Sequence, residues 1–303
     1  MSKSPLLFAP KMLLLSVVSL SATPFLAAQA DEFGHGESAD SVAVNSITRS
    51  YVQSNRGQEA AFSESGISRT ETKSVGIELI LSEDKEVYSL PLSYGLPMTL
   101  LGGEEFLNLS ADIPYIQVET PIGDESGVGD VAVAAEYYIE RDSAILKAQI
   151  NYKMPTGDKE KGLGSGSNDV GFAMTGRMRM GQMGFNSTIG YIIRGDATIF
   201  NSDIEYGNIF SLMAGTEYRV HPAIWVGANL AYVREDTTES AGFVQDGLQT
   251  LDLIPNVSYR LNKKMNFTAD LIYPLQESVV DGDFPSSEPD REISFSVGFN
   301  SEF

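Results

Sequence analysis

The sequence contains no cysteine, and this absence excludes several kinds of site. Without thiols the chain has no disulfide framework, no thiolate zinc site, no cysteine nucleophile and no cysteine for lipid attachment. Basic residues are also scarce, since 21 lysines and arginines stand against 41 aspartates and glutamates. A nucleic-acid partner is therefore not expected, because nucleic-acid binding needs a basic surface.

Histidine is almost missing as well, because the chain has only His35 and His221. Hydrolytic enzymes usually use a histidine as general base. His35 lies between two glycines, where a solvated loop residue is expected, and His221 lies in a predicted turn. An enzyme is therefore not expected, and the sequence indicates no catalytic residue, metal site or cofactor.

One long apolar run is present, from Met12 to Leu26, and it lies near the start of the chain. Lysines precede it, and Ala28-Gln29-Ala30 follows as a small-x-small cleavage site. This pattern predicts a secretory signal peptide over residues 1–30, removed after Sec-type export, with a retained anchor as the alternative. No later segment approaches the length of about 18 apolar residues that a membrane helix needs. An exported soluble protein or a β-barrel remains.

The rest of the chain is rich in period-two alternation. Between residues 146 and 154 the even positions are apolar or aromatic, and the odd positions are polar. Similar segments recur about twelve times after residue 72, each roughly ten residues long, which is the length of a tilted membrane strand. Residues 73–303 are therefore predicted to be all-β, as a transmembrane antiparallel up-and-down β-barrel of about 12 strands.

A soluble β-sandwich also alternates, but the positions of the tyrosines favour the barrel. Aromatic rings that end membrane strands lie at the interface, where both the ring and the hydroxyl are satisfied. The tyrosines at strand ends are Tyr94, Tyr115, Tyr152, Tyr191, Tyr218, Tyr232, Tyr259 and Tyr273. The last strand, which ends on Phe303, is expected to close the barrel by pairing with the first strand near Val75–Leu81.

Connections between the predicted strands alternate between short and long from the third strand onward. The long ones are residues 121–129, 155–168, 195–203, 235–247 and 276–289. Outer-membrane barrels have short periplasmic turns and long outer loops, so both termini are predicted to be periplasmic. Residues 31–72 are polar and lack a sustained period, which predicts a periplasmic tail or plug. The expected location is the outer membrane of a Gram-negative cell.

Polar side chains in the middle of strands are predicted to face the lumen. They are Lys147, Gln149, Asn151, Lys153, Arg177, Arg179, Arg194, Glu217 and Asp252. The five cations fall on three consecutive strands and could form a basic ladder that steers an anionic or polar solute. Alternatively, they pair with Glu136, Glu217 or Asp252 and brace the barrel. The loop 155–168, with Asp158, Lys159 and Lys161, is predicted to constrict the lumen.

Short motifs follow one another in order between residues 86 and 195. They are Leu90-Pro91-Leu92-Ser93-Tyr94-Gly95-Leu96, Asp112-Ile113-Pro114-Tyr115, Gly127-Val128-Gly129-Asp130, Lys153-Met154-Pro155-Thr156-Gly157-Asp158 and Gly164-Ser165-Gly166-Ser167-Asn168-Asp169. In this order and spacing the segment resembles a family of bacterial outer-membrane barrels named for the MetA pathway of phenol degradation. The resemblance implies a channel for uptake of small compounds, aromatic ones among them, and it carries no catalytic residues.

The turn residues of these motifs have a physical interpretation of their own. Gly127, Gly129 and Gly157 are expected to adopt positive φ where strand meets loop. Asp130 and Asp158 are expected to accept backbone N–H bonds in those turns. This structural role is favoured over metal binding.

The sequence thus predicts an outer-membrane channel for passive uptake of small compounds, including aromatic or hydrophobic ones. The alternative is a closed structural or adhesive barrel without transport activity. Expected partners are a small-molecule solute, outer-membrane lipid and lipopolysaccharide, and the barrel assembly machinery.

Overall fold

The structure is a computed structural model that describes residues 72–302 apart from 83–84, 101–103, 121–122, 142, 200–201, 241–242, 246, 263 and 281–292. The predicted signal peptide, the predicted tail before Thr72, and Phe303 lie outside these residues. Within the described part of the chain, no helix has the length and apolarity needed to cross a membrane.

The described residues form strands, with one short 3-10 helix at Lys159–Lys161. The strands are β1 (Thr72–Ser82), β2 (Lys85–Met98), β3 (Glu104–Thr120), β4 (Gly123–Val128), β5 (Val131–Arg141), β6 (Ala144–Met154), β7 (Asp169–Met180), β8 (Met183–Arg194), β9 (Ala197–Ile199), β10 (Ser202–Glu205), β11 (Ile209–His221), β12 (Ile224–Glu235), β13 (Thr238–Ser240), β14 (Phe243–Gln245), β15 (Gly247–Arg260), β16 (Met265–Val280) and β17 (Ser294–Glu302).

Twelve of these strands close into one antiparallel barrel, which confirms the predicted fold. They are β1, β2, β3, β5, β6, β7, β8, β11, β12, β15, β16 and β17. Each pairs with its neighbour in the chain, and β17 closes the ring by pairing with β1. The closing register runs from Ser74 opposite Glu302 to Leu81 opposite Phe295. The last strand therefore pairs with the first, as its alternation and the barrel fold require.

Alternation sorts the side chains between the two faces of the barrel wall. On β6, Leu146 and Ile150 are 46% and 48% exposed on the outer face. Lys147 and Lys153, at odd-numbered positions of the same strand, are 2% and 5% exposed on the inner face. Successive residues of a strand point to opposite sides, so the period-two pattern places apolar groups outside and polar groups inside.

The eight tyrosines predicted at strand ends form two belts on the outer face. Those on strands running toward the long loops lie near the long-loop end of the barrel, as Tyr152 and Tyr191 do. Those on strands running toward the short turns lie near the other end, as Tyr218 and Tyr259 do. All four side chains are at least 40% exposed. Two aromatic belts that bracket an apolar band are the pattern of a membrane-spanning barrel.

The long loops contain strands that alternation did not predict. β4 pairs with the C-terminal end of β3. Strands β9, β10, β13 and β14 form a separate four-stranded sheet. The predicted loop 195–203 extends to Asn208, and residues 276–280 belong to β16 rather than to a loop. These strands are three to six residues long, too short to give a period-two signal in the sequence.

Candidate functional site: the barrel interior and its outer mouth

The side chains predicted to face the lumen all occupy inner-face positions of the barrel strands. Lys147, Gln149, Lys153, Arg194 and Asp252 are buried, whereas Asn151, Arg177, Arg179 and Glu217 are partly buried. What the sequence left open was whether the cations serve a solute or brace the wall.

Lys147 on β6 forms a buried ion pair with Glu136 on β5. The Lys147 Nζ lies 3.2 Å from Glu136 Oε1, and both side chains are 2% exposed. Asn108 Nδ2 and the Tyr138 hydroxyl donate to the other carboxylate oxygen, at 2.7 and 2.9 Å. The carboxylate is therefore fully satisfied by three strands, and this cluster braces the wall.

Arg177 on β7 pairs with Glu217 on β11, although β8 lies between these two strands. The contact passes over Gly184 of β8, where an added Cβ would lie 2.6 Å from Glu217 Cγ. A larger residue at that position would displace the glutamate. Gly184 thus provides the gap that lets an ion pair span three strands.

Two arginines pack on the single tryptophan near the short-turn end. Arg179 and Arg219 lie with Cζ 5.2 and 5.4 Å from the Trp225 ring centroid, within cation–π distance. Trp225 is 4% exposed and faces the interior. Apart from the rarity of tryptophan, no pattern in the sequence indicates this cluster.

The mouth of the barrel at the long-loop end is organised around Lys153, near the end of β6. Its Nζ lies 2.6 Å from Asp169 Oδ2 and 3.6 Å from Asp130 Oδ2. It also donates to the hydroxyls of Ser165 and Ser167, at 2.5 and 3.4 Å. We call these five residues, Asp130, Lys153, Ser165, Ser167 and Asp169, the mouth network.

Asp130 links the mouth network to the backbone of loop 155–168. Its carboxylate accepts from Gly157 N at 3.0 Å, Ser165 N at 2.9 Å and the Ser165 hydroxyl at 3.0 Å. The Thr156 hydroxyl donates to Gly129 O at 2.8 Å. Three sequence motifs, which begin at Gly127, Lys153 and Gly164, therefore meet in one site. Asp130 accepts backbone N–H bonds as expected, but from a distant loop rather than from its own turn.

The loop 155–168 turns one apolar side chain into the barrel. Leu163 is 4% exposed and packs with Ile80, Val87 and Ile116, which occupy inner-face positions of β1, β2 and β3. Of the charged residues that we expected to constrict the lumen, Asp158 and Lys161 are exposed and Lys159 is half-buried. Asp158 accepts from Glu160 N at 3.1 Å, Lys159 donates to the Thr198 carbonyl, and Lys161 pairs with Glu125 at 3.2 Å.

Arg194 connects the mouth network to the next loop. Its side chain is fully buried and lies 2.6 Å from Glu235 Oε1. The guanidinium stacks on Tyr206, with Cζ 4.1 Å from the ring centroid. The Tyr206 hydroxyl in turn donates to Ser165 O at 2.9 Å. Loops 155–168 and 195–208 are thus held by one continuous set of contacts.

The expected positive φ at Gly127, Gly129 and Gly157 is wrong. Among the described glycines, positive φ occurs at Gly162, Gly166 and Gly181. Gly129 and Gly157 are required for close approach instead. An added Cβ on Gly157 would lie 2.9 Å from Gly164 Cα and still closer to the Leu163 carbonyl. A Cβ on Gly129 would lie 2.5 Å from Ile116 Cδ1.

Apolar side chains also line part of the interior, which the sequence reasoning missed. Met213, Ala231, Ile254 and Ile272 form one buried cluster on inner-face positions of β11, β12, β15 and β16. Ala173, Ile192 and Ile209 form another, with Val233 packed against it. The sequence signal for these clusters is that apolar residues stand at inner positions, where the alternation predicts polar ones.

The fold and its polar interior place the chain in the class of transmembrane antiparallel β-barrels. Residues 75–280 match the family described as MetA-pathway of phenol degradation, and the chain belongs to this family. The resemblance seen in the motifs is thereby confirmed.

Solved structures with the same fold include an outer membrane channel from Pseudomonas putida F1. It is 17% identical, with a TM-score of 0.60, and the match covers 77% of this chain and 95% of that one. The KdgM porin is 10% identical with a TM-score of 0.44, covering 76% and 99% of the two chains. The β-domain of the Bordetella autotransporter BrkA is 12% identical with a TM-score of 0.46, covering 77% and 98%. No curated protein matches the chain.

Proposed function

We propose that this protein is an outer-membrane channel for passive entry of small solutes, with apolar or aromatic compounds among them. The observation that carries the proposal is the contrast between the two faces of a closed barrel. The outside is aliphatic and bracketed by tyrosine belts, whereas the inside carries amides and charges. If every interior polar group served only to brace the barrel, we would expect each of them to have a hydrogen-bond partner in the wall.

Interior polar groups that lack such a partner support a hydrated path through the barrel. Side-chain oxygens of Gln149, Asn151, Asn186 and Asn229 are buried and have no hydrogen-bond partner among the described residues. Buried polar atoms normally find a partner, and water or a passing solute supplies one in a lumen. The apolar inner clusters around Ile192 and Ile254 would contact the apolar part of such a solute.

The contacts of the cations in the predicted basic ladder argue against anion steering. Lys147, Arg177 and Arg194 each contact a carboxylate, and Lys153 contacts two. We therefore propose that these cations brace the wall and hold the mouth network. The residues that narrow the lumen are then Leu163, Ser165 and Ser167 rather than Asp158, Lys159 and Lys161.

The test is single-channel recording of the purified full-length protein in planar lipid bilayers. A channel gives discrete conductance steps that scale with salt concentration, and heat-denatured protein gives none. The alternative, a closed structural or adhesive barrel, is favoured by the many contacts across the outer mouth. A correctly folded barrel that inserts but remains silent would support that alternative.

A further inference from the structure

A groove of about 710 Å³ lies on the outer face of the barrel, across β5, β6, β7 and β8. These four strands are consecutive in the wall. The volume falls within the range of roughly 300–1,000 Å³ that small-molecule sites occupy. Because the groove includes both sides of the connection from β5 to β6, it lies at the short-turn end of the barrel.

One row of outer-face residues crosses the groove next to the short turns. Arg141 pairs in register with Ala144, and Ala144 pairs with Met178. Met178 pairs in turn with Phe185. All four residues line the groove, so this row places one cation and one small residue beside two large apolar side chains.

A second row of lining residues lies one step further into the membrane. Ile139 pairs with Leu146, and Leu146 pairs with Gly176. Gly176 pairs with Ser187. Gly176 forms the floor, because an added Cβ there would have Ser187 Oγ, at 3.8 Å, as its nearest neighbour. Leu146 is exposed beside this floor and forms a wall of the groove.

Arg141 gives the groove a charged end. It is exposed at the last position of β5, and none of the ion pairs among the described residues involves it. Glu105, on the outer face of β3, is 2% exposed and accepts from the Tyr137 hydroxyl and from Leu100 N. A basic side chain at the membrane interface attracts anionic lipid, and a guanidinium can bind phosphate through two parallel N–H bonds.

We propose that this groove binds one phospholipid with a negatively charged head group. The phosphate lies against Arg141, and one acyl chain lies over Ala144 and Gly176 with Leu146 and Phe185 beside it. The Ser187 hydroxyl is exposed on the same floor and is placed to donate to an ester carbonyl of the lipid. Burial of the acyl chain against apolar side chains and pairing of the phosphate with the cation then act together.

The position of the groove favours a phospholipid over lipopolysaccharide. The short-turn end is predicted to be periplasmic, where the membrane leaflet consists of phospholipids. The inference therefore rests on the outer-membrane location and orientation in the proposed function, but it does not require that the barrel conducts.

The test is native mass spectrometry of the full-length protein, released from detergent and titrated with phosphatidylglycerol. Diacylglycerol with the same chains lacks the phosphate, and lipid A is the probe for lipopolysaccharide. Phosphatidylglycerol should bind at least about fivefold more tightly than either, and Arg141→Gln should weaken its binding about fivefold. Gly176→Leu fills the floor of the groove and should weaken phosphatidylglycerol and diacylglycerol alike.

Lys264→Gln and Ala269→Leu are the matched controls. Lys264 is an exposed cation in the short turn between β15 and β16, and Ala269 occupies an outer-face position of β16. Both substitutions leave the groove intact and should leave the affinity for phosphatidylglycerol unchanged. The heat-modifiable mobility of each variant in gel electrophoresis confirms that its barrel is folded.

Equal affinities for phosphatidylglycerol and diacylglycerol would overturn the proposal, as would tighter binding of lipid A. Unchanged binding in both Arg141→Gln and Gly176→Leu would also overturn it. A dimer mass that Gly176→Leu reduces to a monomer would show that a second copy of the chain occupies the groove instead. A barrel that binds phosphatidylglycerol but gives no conductance would refute the channel and leave the lipid site in place.

Discussion

Asp130 and Ser165 are 35 residues apart in the chain, yet Ser165 donates to one carboxylate oxygen of Asp130 through both its backbone N–H and its hydroxyl. The two distances are 2.9 and 3.0 Å. Ser165 also accepts from Lys153, which contacts Asp130 itself. A loop that would otherwise lie in solvent is thereby tied to the end of two barrel strands.

Replacing Asp130 should release this loop. In Asp130→Ala the N–H groups of Gly157 and Ser165 lose their acceptor, at a cost of about 1–3 kcal/mol for each buried donor. Trypsin should then cleave after Lys159 or Lys161 at least about tenfold faster than in the wild type. Asp203→Ala, in the neighbouring loop, is the control and should cleave at the wild-type rate. Equal rates in both variants would mean that Asp130 does not hold the loop.

Breaking the Lys147–Glu136 pair should destabilise the barrel strongly. Both side chains are 2% exposed, so Lys147→Met leaves a buried carboxylate without its cation and should cost about 3–5 kcal/mol in the free energy of unfolding. The measurement is urea unfolding of the protein refolded in lipid vesicles. Lys147→Met combined with Glu136→Gln should recover most of the loss, because no charge then remains buried and the amide oxygen still accepts from Asn108 and Tyr138.

The exposed pair between Lys161 and Glu125 is the matched control. Its side chains are 51% and 33% exposed, and Lys161→Met should change the free energy of unfolding by less than about 1 kcal/mol. A similar small effect for Lys147→Met would contradict the bracing role of the buried pair.

The ion selectivity of the channel should show whether Arg177 attracts anions or only pairs with Glu217. Arg177→Ala leaves the Glu217 charge in the lumen, and the cation-to-anion permeability ratio should rise at least about twofold. Arg177→Ala with Glu217→Ala removes the pair together and should restore the wild-type ratio. The readout is the reversal potential in a KCl gradient. If the double variant stays as cation-selective as the single one, Arg177 attracts anions in its own right.

A methyl group at Gly157 should have the same effect as the loss of Asp130. Its Cβ would meet the backbone of Leu163 and Gly164, so the loop must move. Gly176→Ala is the control, since its Cβ would lie 3.8 Å from Ser187 Oγ, an ordinary contact. Trypsin should cleave the loop faster in Gly157→Ala only. Identical cleavage of the two variants would show that the close approach is not required.

The twelve barrel strands could be predicted because the two faces of a membrane barrel meet different solvents. Each strand must alternate, and the face of Lys147 or Leu146 follows from its position alone. The closing register of β17 on β1 follows from the same constraint. The pairing of Lys147 with Glu136 was one of the possibilities that the alternation allowed, because the residues lie on adjacent strands.

The mouth network could not be predicted in the same way. Asp130, Lys153 and Ser165 come from a strand start, a strand end and a loop, and no period relates them. The motifs indicated that these segments matter but not that they meet. The conformation of Gly157 was mispredicted for the same reason, since its constraint is the distant backbone of Leu163 and not its own turn.

The most direct test of the channel is a swelling assay on liposomes that contain the purified full-length protein. Solutes of increasing size would be compared, from a small sugar series to aromatic acids, phenols and short amines. We expect swelling with the smallest solutes and none above a small limiting size, and Asp130→Ala should admit larger solutes than the wild type. Swelling no faster than in protein-free liposomes for every solute, in wild type and variant alike, would contradict the proposed channel.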